Sequence, residues 1–236
     1  MQCVSLGLYR FGPVRDRLWV FGQMGAARLA MPKVPDIGAW KLCGSGVGEG
    51  FTPLPNTAVW AILATWPDAA TARDRTANAH PFTTWAGRAE EVWTVFLTAT
   101  SARGEWGGSA PFEVTESARP GPVAALTRAT VRPRAALPFW GRTPRISDAI
   151  GADPNVIFKI GIGEVPWVQQ VTFSIWPDTH TMAAFARDPD GPHAQAIRAV
   201  REGAWFREEL YARFRILGDA GRWGGESPLK RLDLAA

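Results

Sequence analysis

Apolar residues along this chain fall into short runs that occur in two similar series. In the first part, Cys3-Val-Ser-Leu-Gly-Leu-Tyr-Arg-Phe and Val59-Trp-Ala-Ile-Leu-Ala have the length and β-branched or aromatic content of buried strands. In the second, Val123-Ala-Ala-Leu-Thr-Arg-Ala-Thr-Val and Val171-Thr-Phe-Ser-Ile read the same way. Between the first pair, Arg15–Arg28 predicts a helix, with Leu18, Phe21, Gly25 and Leu29 spaced for one face. The corresponding Ala135–Ile150 is interrupted by Pro138 and Pro144, which limits any helix there to a short one. A second strand in each series carries a lysine and glycines (Trp40–Gly44; Val156–Ile162), and a third ends at Trp-Pro-Asp (Trp66–Asp68; Trp176–Asp178). Asp68 and Asp178 can each accept the free N–H groups of a following helix. Last strands are expected over Val92–Thr98 and Ala212–Leu217. The order is β-α-β-β-α-β, read twice, which is a ferredoxin-like unit.

Other landmarks repeat in register. Lys41 through Gly48-Glu49 matches Lys159-Ile-Gly-Ile-Gly-Glu164, and each half closes on Gly-x-Trp-Gly-Gly, at 104–108 and 221–225. The boundary falls in the turn-rich Glu116–Pro122, dividing the chain into subdomains 1–116 and 117–236. An open sheet with helices on one face leaves its other face bare. Two such units can press those faces together, so the expected fold is α+β, tandem ferredoxin-like repeats forming a pseudo-dimeric α+β barrel. The copies have diverged, so a ligand site need exist in only one of them, between sheet and helices or inside the barrel.

Composition narrows the chemistry. The net charge is +4, arginine outnumbers lysine, and no basic run or recognition motif points to nucleic acid; such a charge suits an acidic protein partner or an anionic membrane surface. No apolar stretch approaches the ~20 residues that span a bilayer. The N-terminus lacks the marks of a signal peptide, and two cysteines without a CxxC give no disulfide framework, so a cytoplasmic protein with reduced thiols is expected.

The three histidines, His80, His180 and His193, form no multi-ligand metal motif, and no nucleophile elbow is present. Glycines in Lys159–Glu164 could bend a curved sheet or let a flat ligand approach. Cys43 is a small packed residue or a thiolate ligand. His193 has the best local context: with Pro192 in the first turn, His193, Ala196, Ile197 and Val200 share one helical face. A histidine there is either a core residue or a ligand for a cofactor held between helix and sheet. Trp176, Phe185, Trp205 and Phe206 are core residues or the lining of an apolar channel.

Several long segments carry a resemblance: Leu18–Gly25, Trp40–Thr57, Arg145–Gly151, Phe158–Trp167, Gln170–Asp178 and Gly191–Arg201. From about residue 2 to Leu229 the chain closely resembles the spheroidene monooxygenases, the acyclic carotenoid 2-ketolases of purple photosynthetic bacteria. The resemblance implies a haem b (iron) enzyme that uses O2 and electrons from reduced ferredoxin. Two hydroxylations at C-2 of spheroidene, or of hydroxyspheroidene, would give the 2-oxo product spheroidenone. More distantly, the repeat is similar to dimeric α+β barrel haem-degrading monooxygenases, in which a histidine on the second helix is the axial ligand. By that similarity His193 is the haem-iron ligand, and Trp176, Phe185 and Trp205 are candidates for the substrate channel. A membrane-resident substrate implies peripheral contact with the cytoplasmic face of the membrane; Trp19, Phe21 and Met24 of the Arg15–Arg28 segment are the candidates. The alternative reading is a haem carrier or sensor of the same fold without oxygenase activity.

Overall fold

The computed structural model describes residues 1–48, 50, 52–117, 119–141, 153–187 and 203–232. Eight strands, β1 (Cys3–Arg10), β2 (Trp40–Gly46), β3 (Pro55–Trp66), β4 (Glu91–Gly104), β5 (Val123–Val131), β6 (Phe158–Gly163), β7 (Gln169–Trp176) and β8 (Phe206–Gly221), close into one barrel. The order around it is β1-β3-β2-β6-β7-β5-β8-β4, with every pair antiparallel. Within it the first four strands run 4-1-3-2 and the last four repeat that order as 8-5-7-6. Helices α1 (Val14–Ala30), α2 (Ala69–Asn78) and α3 (Phe82–Ala86) belong to the first half, and α4 (Thr179–Arg187) follows β7. Residues 136–141 of the proline-interrupted stretch are helical; the rest of it lies outside the described residues.

Local signals account for the shared element starts. Asp68 Oδ1 accepts from Thr71 N at 2.8 Å, and Asp178 Oδ1 from Thr181 N at 2.7 Å, so each aspartate starts the helix after a Trp-Pro-Asp strand end. In both cases these bonds to the ionised form hold the carboxyl below its usual range.

Two seams join the halves. β4 and β8 pair through eleven positions, from Trp93↔Gly221 to Gly104↔Leu210. They extend well beyond the expected 92–98 and 212–217, because the additional length pairs across the barrel. β2 and β6 meet only at Gly44↔Gly163 and Ser45↔Ile162, where Ser45 Oγ donates to Gly161 O at 2.8 Å.

Alternation along the strands sends one set of side chains inward. Leu6, Leu63, Val95 and Leu97 from the first half meet Leu126, Ile160, Phe173 and Phe214 from the second in a single buried core. The two halves thus share their largest hydrophobic layer, and neither sheet keeps a bare inner face. Outside the first sheet, a second core packs Tyr9, Trp60, Trp66, Phe82, Trp85 and Phe96 under the helices. Tyr9 meets Trp85 edge-on with ring centroids 5.4 Å apart, and Trp66 meets Phe82 at 5.8 Å.

The helix over 15–28 is present, but its apolar face is not the buried one. Val20 and Ala27 face the sheet, while Leu18, Phe21, Gly25 and Leu29 are exposed. Periodicity identified residues that share a face; the sheet is covered instead by Val20 and Ala27, with Trp19 and Met24 packed beside them.

Candidate functional site

Registers allow the halves to be compared position by position. Cys3 opposes Trp66 across β1–β3 and Val123 opposes Trp176 across β5–β7, so these ladders superpose. On the outer face of the first sheet stand Trp40, Leu42, Trp60, Ile62, Tyr9 and Phe96. The equivalent positions of the second sheet hold Lys159, Gly161, Gln170, Thr172, Ala129 and Arg213. All six large apolar side chains are replaced by small or polar ones. Several inward positions keep large apolar side chains, Leu6, Leu63 and Leu97 corresponding to Leu126, Phe173 and Phe214, while Leu8 is replaced by the buried Arg128 and Val95 by Ala212.

The outer faces therefore do different work. Aromatic packing fills the space between the first sheet and its helices. A row of Gly161, Thr172, Thr127 and Tyr211 crosses the middle of the second sheet where Leu42, Ile62, Gly7 and Thr94 cross the first. A small cluster of Val123, Trp176 and Met182, with Phe185 against it, packs outside one end of this sheet, and Phe139 meets Phe206 at the start of β8 with ring centroids 5.8 Å apart.

One edge of the face is made by the first half. Gly50, in the β2–β3 loop, lies directly on Gly161: a Cβ on Gly50 would come within 1.7 Å of Gly161 O, and one on Gly161 within 2.4 Å of Gly50 O. Gly50 also has φ +91°, a region that disfavours side chains. Gly161 is thus occupied by backbone from the other half, not left open for a ligand.

The expected site residues are distributed as follows. Trp176 and Phe185 are brought together, with rings 5.3 Å apart, and Trp176 Nε1 donates to Ser174 Oγ at 2.9 Å. Trp205 lies beside the opposite end of β5, where its carbonyl accepts from Arg132 N at 2.8 Å. Eight residues of strand separate Val123 from Val131, about 26 Å, so the three aromatics mark the two ends of the face and not one small pocket. His193 lies outside the described residues. His180 is exposed in the first turn of α4, and exposed His80 has Nδ1 2.6 Å from Thr84 Oγ1. Cys43 packs in the barrel interior, where burial and the Glu164 carboxylate push its thiol far above its ordinary range. Cys43 there is a core residue. Among the described residues, no group of three or more His, Cys, Asp and Glu side chains could hold a metal ion.

The Gly-x-Trp-Gly-Gly motifs, read only as repeat landmarks in the sequence, have a common role in binding carboxylates. Gly104, Gly107 and Gly108, and likewise Gly221, Gly224 and Gly225, all take positive φ. The turn of the first half gives its Gly108 N–H to Glu208 of β8 (2.8 Å). The turn of the second gives Gly224 and Gly225 N–H to Glu91 of β4 (3.1 and 2.7 Å). Each motif clamps a glutamate of the other half. An arginine completes each clamp: Arg128 on Glu208 and over Trp106, Arg10 on Glu91 and over Trp223. Burial raises the pKa of both carboxyls, but the glycine N–H groups and the guanidinium more than offset it, holding both below the usual range.

The fold is an α+β protein built on a closed eight-stranded antiparallel barrel. Solved aldoxime dehydratases share it: one in complex with butyraldoxime has TM-score 0.59 at 9% identity, covering 91% of this chain and 79% of that one. Another has TM-score 0.57 at 11% identity, covering 91% and 81%. No family model matches the chain. The sequence is 54% identical to a spheroidene monooxygenase of Cereibacter sphaeroides, over 97% of this chain and 71% of the relative. It is 51% identical to that of Rhodobacter capsulatus, over 97% and 96%, and 32% identical to that of Rubrivivax gelatinosus, over 89% and 80%. The chain belongs to the spheroidene monooxygenase family, and the protein is an oxygenase.

Proposed function

We propose that this protein oxygenates spheroidene and related acyclic carotenoids on the outer face of its second sheet, using haem b held between that sheet and the segment carrying His193. The observation that carries the reading is the replacement of Trp40, Leu42, Trp60, Ile62, Tyr9 and Phe96 by Lys159, Gly161, Gln170, Thr172, Ala129 and Arg213 at equivalent positions. The barrel is then a tandem pair of ferredoxin-like units, 1–116 and 117–236. The first keeps an aromatic layer for stability, and the second has given up that layer for a ligand.

These residues fit a haem in chemistry as well as in bulk. Thr127 and Thr172 oppose each other at the middle of the face, and Arg213 supplies a cation on the same face for a propionate. His193 is the iron ligand by family resemblance. An aliphatic C–H bond yields to no ordinary side chain, and haem with O2 and electrons from reduced ferredoxin would supply the oxidant. Two insertions at C-2 would give a geminal diol that loses water to the 2-oxo product. The chain's part is to hold the C-2 end in register while the rest of the polyene runs along the face. Trp176 and Phe185 at one end and Trp205 at the other are the apolar contacts suited to a ligand of that length. The reading places the protein at the cytoplasmic face of the membrane that holds its substrate.

The test is the absorption spectrum of haem-reconstituted protein, with turnover of spheroidene to spheroidenone as the second readout. A stoichiometric Soret band lost or shifted in His193→Ala is expected. Thr172→Phe, which restores bulk at the position of Ile62, should lower haem uptake while the far-UV circular dichroism stays unchanged. A Soret band indifferent to both substitutions would refute the site. Haem binding without turnover would favour a carrier.

A further inference from the structure

The exposed face of α1 carries an apolar stripe with only cations at its border. Val14, Leu18, Phe21 and Leu29 are 69%, 70%, 69% and 75% exposed. At about 100° per residue these four, with Gly22 and Gly25, fall within an arc of roughly 100° directly opposite the buried Val20 and Ala27. Both glycines face open space, so no part of the described chain covers the stripe there, while the exposed Phe21 ring meets Trp60 of β3 edge-on with centroids 6.3 Å apart. Arg15 lies at one border of the arc, Arg28 at the other, and exposed Lys33 follows at the end.

Charge of the opposite sign is missing from this surface. Between Pro13 and Lys33 the sole carboxylate is Asp16. It is turned inward, buried, and paired with Arg15 and Arg88. A partner for this face must therefore accept several large apolar side chains and carry negative charge around them. An anionic bilayer surface offers both: acyl chains for the stripe and phosphate headgroups for the cations. At the C-terminal end the stripe continues into an open cleft of about 490 Å³ whose lining includes Leu29, Ala30, Lys33, Val34, Ala79 and His80.

We infer that α1 is a membrane-docking helix, lying in the headgroup region of an anionic bilayer with Val14, Leu18, Phe21 and Leu29 inserted and Arg15, Arg28 and Lys33 on lipid phosphates. Of the side chains expected at the membrane from sequence, Phe21 stays; Trp19 and Met24 belong to the packed side of the helix. The inference stands on this surface alone and does not depend on where the carotenoid reacts.

Full-length protein is incubated with phosphatidylglycerol–phosphatidylcholine vesicles, without carotenoid, and the bound fraction is measured by flotation. Wild type should bind. Leu18→Glu/Phe21→Glu should bind at least about tenfold more weakly, and vesicles of phosphatidylcholine alone should lower wild-type binding about tenfold or more, since each cation near the surface contributes roughly fivefold. Leu54→Glu, an equally exposed apolar position in the β2–β3 loop, serves as the control and should bind like wild type. Turnover of detergent-dispersed substrate by the double variant should match wild type, which separates docking from catalysis. Failure of wild type to bind, or equal binding by the double variant, would overturn the inference. So would a wild-type dimer in sedimentation that the double variant converts to monomer, because a second copy would then occupy the face.

Discussion

The two carboxylate clamps make a quantitative test, because they share one backbone arrangement and differ in the burial of their arginines. Glu208→Gln keeps an oxygen for the Gly108 N–H but removes the charge facing Arg128, whose side chain is 1% exposed and whose Nε has no hydrogen-bond partner. Leaving a guanidinium in the barrel wall without its counter-ion costs about 3–5 kcal/mol. Glu208 is itself 18% exposed and Trp106 still faces the cation, which places the loss near the low end, about 3 kcal/mol. Glu91→Gln makes the same chemical change opposite Arg10, which is 38% exposed and can be rehydrated, so about 1 kcal/mol is expected. Urea unfolding followed by tryptophan fluorescence reads the difference. With m of about 2–3 kcal/mol/M for a chain of this size, roughly 2 kcal/mol separates the two midpoints by about 0.7–1 M. Equal losses from the two substitutions would refute the argument that burial of Arg128 sets the strength of its clamp.

Both clamp glutamates have carboxyl pKa values held below their unfolded value, so their contribution is complete above about pH 4.3 and is lost as pH falls through the lowered folded value. Thermal midpoints of wild type should therefore drop on acidification below pH 4.3, and Glu208→Gln should flatten that drop. Gly161→Ala should cost about 1–3 kcal/mol in urea unfolding, since its Cβ would meet the Gly50 carbonyl at 2.4 Å; Gly22→Ala, in open space on α1, should not destabilise. Burial pushes the Cys3 thiol up to about 11 and that of Cys43 higher still. Neither should react with a thiol reagent at pH 8 in the native protein, and both should react in denaturant.

Much of this fold is legible along the chain. The strand over Val123–Val131 has the expected bounds, the Trp-Pro-Asp ends and their aspartate caps are local signals, and the order β-α-β-β-α-β follows from runs and turns. Family membership rests on long matched segments, which need no structure to be seen. The candidate site was less accessible. Trp176 and Phe185 were chosen as channel residues and are in contact with each other, whereas Thr127, Thr172 and Ala129 on the same face are residues that sequence reasoning does not single out as chemistry. The signal of that face is a substitution pattern between the halves, which becomes visible only when β1–β3 is laid on β5–β7 in register.

The sequence by itself determined which residues of α1 share a face, and where the Trp-Pro-Asp strands end and their helices begin, because these depend on contacts between near neighbours in the chain. Tertiary structure decided what each face meets. Strands covered on both sides read as continuous apolar runs, so nothing in Val59–Ala64 separates the inward Ala61 and Leu63 from the outward Trp60 and Ile62. Leu18, Phe21 and Leu29 form a helical stripe wherever the helix is placed, and only its packing on the sheet through Val20 and Ala27 turned that stripe to solvent. Gly50 on Gly161, and Glu208 and Glu91 in the glycine turns of the opposite halves, join residues 100 or more positions apart. Closure of the barrel brings them together, and no local pattern could encode those partnerships.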